Sequence, residues 1–126
     1  YDCIAINRGM SVTKNNRATG SIYEEKIAAF LKQNGFLILE RNYRCKQGEI
    51  DIIARDGRYL VFIEVKFRAT GSTGFSLEAI DHRKASRIRK AALYYLFSHQ
   101  LSEETPCRFD AAGIDGETIT YIKNAF

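Results

Sequence analysis

Histidine and cysteine are scarce in this sequence, with only His82, His99, Cys3, Cys45 and Cys107. The cysteines are odd in number, widely spaced and never arranged as CxxC, which argues against a disulfide framework or a zinc knuckle and predicts idle thiols in a reducing compartment. No apolar run approaches the roughly 20 residues that a membrane span requires, and no charged-then-apolar signal segment opens the chain. The expectation is a cytoplasmic protein with no membrane partner. Internal repeats and low-complexity tracts are missing as well. What is present is ordinary for a globular chain: 126 residues, 45% of them hydrophobic and 27% charged, enough to bury a core without staples. The net charge of +4 suggests a polyanionic partner, so the placement of the cations matters more than their number.

Residues 1–19 show no clear periodicity and are left as an N-terminal segment of unassigned structure before one domain spanning 20–126. From Ser21 to Asn34, Tyr23, Ile27, Phe30 and Leu31 recur at helical spacing; Ser21 can cap the start and Gly35 the end. A strand follows from Phe36 toward Arg44. Glu49–Ala54 and Tyr59–Phe67 read as two further strands joined at Asp56-Gly57, a strong hairpin signal. A second amphipathic helix runs from Ser76 to about His99, and Arg108–Ile114 with Thr118–Ile122 forms a second hairpin around Asp115-Gly116. The predicted order is αβββαββ.

A two-residue turn at Asp56-Gly57 sets Arg55 against Arg58, Glu49 against Glu64, Asp51 against Phe62 and Lys66 against Gln47. Side chains alternate along a strand, so Glu49, Asp51, Glu64 and Lys66 share one face with Ile53, Leu60 and Phe62. Ile50, Ile52, Val61, Ile63 and Val65 take the other. Directly opposed side chains lie only about 5 Å apart, so three ionised acids here repel one another and call for a cation. Mg²⁺ (or Mn²⁺) suits such a site, because it takes carboxylate oxygens while keeping waters that substrate phosphates can replace. Lys66 can orient the attacking water or stabilise the charged phosphate. The competing reading is a solvated sheet face on which Lys66 simply pairs with Glu64.

The stretch Gly48-Glu49-Ile50-Asp51-Ile52-Ile53-Ala54, followed by Phe62-Ile63-Glu64-Val65-Lys66-Phe67-Arg68, resembles the YraN-like family of bacterial predicted endonucleases, relatives of archaeal Holliday junction resolvases. The likeness extends through Gly20, Glu24, Gly35, Asn42-Tyr43-Arg44, Gly74, Lys84, Ala91-Ala92 to Leu96, and Phe109-Asp110. It implies an α/β protein with a restriction-endonuclease-like αβββαβ core, a mixed sheet flanked by helices. Asp51 and Glu64 would be the paired metal acids, Lys66 the catalytic lysine, and Glu24 the helix acid that reaches the metal. Glu24 is preferred to Glu25 because it lies beside Ile27, Ala28 and Leu31 on the helical wheel. Ile50 stands where the superfamily's PD-(D/E)XK motif has proline. The implied activity is metal-dependent hydrolysis of phosphodiester bonds in DNA, at branched or distorted sites by analogy with the resolvases. The alternative is a non-catalytic nucleic-acid-binding or adaptor domain on the same fold. Resolvase-like action needs two active sites, which leaves a homodimer open.

Helix two carries Arg83, Arg87 and Lys90 on one stripe, and Lys84, close to core-facing Ile88, is the basic residue expected to point inward toward the site. With Arg68 in the preceding loop, these are the candidate contacts to a nucleic-acid backbone; the plainer alternative is a solvated basic face. Tyr94, Tyr95 and Phe97 are read as core rather than as stacking platforms.

Overall fold

The computed structural model describes residues 2–7, 16–68, 82–115 and 118–126, with side chains described over 22–66, 82–115 and 118–126. The elements are β1 (Asp2–Asn7), α1 (Asn16–Gln33), β2 (Leu37–Cys45), β3 (Gly48–Asp56), β4 (Tyr59–Arg68), α2 (His82–Ser98), β5 (Cys107–Asp115) and β6 (Thr118–Lys123). They build a mixed six-stranded sheet of order β1-β6-β5-β4-β3-β2. Among the described strands only β4 and β5 pair in parallel, because the chain crosses between them through α2. The expected order lacked β1, which pairs antiparallel with β6. The first helix begins at Asn16, five residues before Ser21, so β1 and the start of α1 occupy the stretch left unassigned.

Each helix covers one face of the sheet. Tyr23, Ile27, Phe30 and Leu31 of α1 pack with Ile52, Ala54, Val61, Ile63, Ile114 and Tyr121. Ile88, Ala91, Ala92, Tyr95 and Leu96 of α2 pack with Ile50, Ile53, Leu60 and Phe62. Central β4 is therefore apolar on both sides, and its charged residues come only past Ile63. Helix α1 ends as predicted: Gly35 has φ 86, and the Phe36 and Gly35 amides donate to the Leu31 and Lys32 carbonyls. In α2 only Tyr95 of the three aromatics is core. Tyr94 and Phe97 are exposed, Phe97 at 80%, because the buried stripe passes through positions 88, 92, 95 and 96. The first six residues expected of this helix, 76–81, lie outside the described residues.

The hairpin register differs from the expected one by two residues. Asp56 pairs with Tyr59, Arg55 with Leu60 and Ile53 with Phe62. The loop is Gly57-Arg58 with glycine first at φ 61, the pattern of a II′ turn. Asp56 is held in the ladder because its carboxylate accepts a hydrogen bond from Arg108 Nη2 at 2.8 Å. A two-residue shift does not by itself turn a side chain over, so Asp51 and Glu64 still share one side. It does change the pairing. The ladder runs to Ile52↔Ile63, and one step further brings Asp51, not Glu49, level with Glu64.

Alternation also breaks, against expectation, at Asp51. Ile52 packs under α1 but Ile50 packs under α2, although two residues apart they should share a face. The cause lies on the neighbouring strand: Asn42 adopts φ 54 between the pairs Arg41↔Ile52 and Tyr43↔Ile50. A left-handed residue inside a strand turns the following side chain over. Arg41 accordingly faces α1, while Tyr43 meets Tyr95 of α2 edge-on at 5.3 Å.

Candidate functional site

Asp51 sits where β3 and β4 part, and its Oδ2 accepts the Val65 backbone amide at 2.8 Å. Glu64 is 4% exposed on the α2 face of β4. Both line a cavity of about 710 Å³ between the end of the β2-β3-β4 hairpins and the start of α2. Glu49 lines it too, together with four cations, Arg44, Arg83, Lys84 and Arg87. The β2–β3 turn is seated directly on the helix. A Cβ placed on Gly48 would lie 3.3 Å from both the Cβ and the carbonyl oxygen of Arg87. Gly48→Ala should push α2 outward and lower the unfolding free energy by about 1–3 kcal/mol, read as a shifted urea midpoint.

The charges are distributed unequally. Lys84 Nζ lies 2.6 Å from Glu64 Oε1, an ion pair with one buried partner. Glu49 meets Arg44 at 3.6 Å, but both side chains are half exposed or more, and such a pair contributes little. For Asp51 the hydrogen-bond donor is the Val65 backbone amide. Burial, then the charge of Glu64, push its carboxyl up to about 7, against the smaller opposing effects of the Val65 amide and Lys84. Asp51 therefore keeps its proton well into the neutral range unless positive charge arrives.

The structure thus brings Glu49, Asp51, Glu64, Arg83, Lys84 and Arg87 to one cavity. Lys66 follows Glu64 by two residues on β4 and is half-buried, though it does not line the cavity. Glu24 is not brought there either. It stands against Arg41 at 3.8 Å and Asn42 at 3.5 Å, because the helical wheel carries no information about which strand residue the helix meets. Lys90 borders a separate hollow with exposed Leu93, Tyr94 and Phe97. The Arg68 side chain lies outside the described residues. Arg44 is the cavity cation that sequence reasoning missed. It belongs to the family-like stretch Asn42-Tyr43-Arg44, but its place beside Glu49 is visible once β2 and β3 are paired.

Among the described residues no three His, Cys, Asp or Glu side chains close on a single point. A cation here would rest on Asp51 and Glu64 with water completing its coordination. Asp51 and Glu64 offer two hard carboxylate oxygen donors, the donor type that a small divalent ion takes.

These features define an α/β protein whose mixed sheet is flanked by helices, consistent with a restriction-endonuclease-like core. The chain belongs to the family described as Uncharacterised protein family UPF0102, whose model matches residues 23–114. Relatives carry the same designation. A UPF0102 protein of Lachnoclostridium phytofermentans is 49% identical over 112 residues, covering 89% of this chain and 95% of that relative. One from Moorella thermoacetica is 46% identical over 103 residues, 82% of this chain and 85% of its own. One from Syntrophus aciditrophicus is 44% identical over 119 residues, 91% and 92% respectively. Among the described residues, no helix is long and apolar enough to cross a membrane.

Proposed function

We propose that this protein is a Mg²⁺- or Mn²⁺-dependent endonuclease that hydrolyses phosphodiester bonds in DNA. The observation that carries the reading is the pair Asp51 and Glu64, two mutually repelling acids set into a cavity that also exposes three arginines. Acids set side by side, one of them raised by burial and by its neighbour, are a pattern concentrated at functional sites, and the arginines beside them suit a phosphate backbone. Asp51 and Glu64 would hold the cation, which supplies charge neutralisation at the phosphate and an acidified water. Arg83 and Arg87 would seat flanking phosphates from α2, and Arg44 from the opposite wall. Lys66, on the Glu64 face of β4, would steady the negative charge that develops on the phosphate. Backbone cations of this sort read shape rather than base sequence, which suits branched or distorted DNA.

The deciding experiment incubates the purified chain with supercoiled plasmid, single strands, flaps and four-way junctions in Mg²⁺ or Mn²⁺. Asp51→Ala and Lys66→Ala should both reduce cleavage to background. Cleavage indistinguishable among the three proteins would eliminate the catalytic reading. Tight metal-independent binding without cleavage would instead favour a nucleic-acid-binding or adaptor domain.

A further inference from the structure

Asp51 and Glu64 are held by very different partners. Asp51 is fixed by a backbone amide, which cannot leave without unzipping β4. Glu64 is held by the ammonium of Lys84, whose side chain remains 48% exposed and reaches in from the first turn of α2. A buried carboxylate needs a charge partner, and here that partner sits on a flexible four-carbon stem with a route back to water.

We propose that Lys84 is a built-in counter-ion: its ammonium stands against Glu64 where a divalent cation would bind, and it must give up that carboxylate when the cation enters. The inference rests on the metal reading above and concerns how that site is regulated. Ammonium and cation compete for the Glu64 carboxylate, since two positive charges held against one carboxylate repel each other. The displaced lysine stays on the helix turn that carries Arg83 and Arg87, so it turns to the same cavity that these arginines line. Cation entry is thereby coupled to one more positive charge offered to a phosphate. Without the cation, Lys84 satisfies Glu64 and keeps the buried acid from destabilising the sheet.

Calorimetric titration of the full chain with Mn²⁺ alone, at fixed ionic strength and without nucleic acid, tests this directly. Lys84→Met should bind Mn²⁺ on the order of tenfold more tightly than the unmodified protein, because the competitor is gone. Lys84→Arg keeps the charge and should bind no more tightly than the unmodified protein. Lys84→Gln, which retains a hydrogen-bond donor for Glu64, provides the neutral variant if the methionine form fails to fold by circular dichroism. It should also bind more tightly. Equal or weaker binding by the folded neutral variants would overturn the counter-ion role and leave the metal reading standing. No saturable binding by any of the proteins, the unmodified chain included, would overturn both.

Discussion

Asp110→Ala should lower the unfolding free energy by about 3–5 kcal/mol, among the costliest single side-chain changes expected in this protein. Asp110 is fully buried, and it accepts hydrogen bonds from Arg108 Nε and Nη2 at 2.9–3.0 Å, from Tyr121 Oη at 2.5 Å and from the Asn124 amide at 3.0 Å. Truncation orphans the tyrosine hydroxyl and the amide, and it leaves a guanidinium that is 7% exposed with Asp56 as its remaining carboxylate partner. That remaining ion pair keeps the cost from going higher. Burial, with the Asp110 charge beside it, also pushes the Tyr121 hydroxyl far above its ordinary value, so it stays a donor at every accessible pH. Urea unfolding of Asp110→Ala and of Arg108→Met/Asp110→Leu measures this. The double variant should lose much less than the single one, because it removes both charges. A single-variant loss below about 1 kcal/mol would mean the network is not the clamp it looks like.

The second large effect is a stability that falls as pH rises. In the unfolded chain Asp51 loses its proton near the ordinary carboxylate value of 3.8; in the folded chain it holds it to about 7. Between those limits the folded state binds more protons, so each step up in pH favours unfolding. The contribution is fully favourable below the lower value and lost above the upper one, roughly 4 kcal/mol in all. Other groups titrate over the same range, so the clean measurement is the stability difference between the unmodified protein and Asp51→Asn at pH 4 and pH 8. Asparagine can still accept the Val65 amide, so the variant should gain relative stability as pH rises. A difference independent of pH would show that the Asp51 carboxyl is not raised. On the metal reading, Mn²⁺ should also stabilise the unmodified protein more at pH 8 than at pH 5, because its binding releases that proton.

Much of the framework was legible because it is written in local periodicity. The apolar faces of α2 and of both hairpins follow from spacings of 3.6 and 2, and Gly35 ends α1 as a glycine should. Even the wrong turn position did little harm, since an error of two residues preserves the face. The pairing itself was not legible. Asp56 belongs to the ladder because Arg108, 52 residues away, holds its carboxylate, and no local preference encodes that. The flip at Asp51 had the same kind of source, a left-handed Asn42 on another strand.

Local pattern suffices to put Asp51, Glu64 and Lys66 on one strand pair with the acids toward one side, and to follow them with a basic helix. Those are consequences of side-chain alternation and of the helical turn, which act over a few residues. The inward turn of Lys84 was also legible, from its place beside Ile88, but packing alone chose Glu64 as its partner, set Glu24 against Arg41 instead, and joined Arg108, Asp110 and Tyr121 in one buried network. Charges select partners by distance in space once the layers have packed, and burial then sets how much each contact contributes. Neither distance nor burial can be read from spacing along the chain.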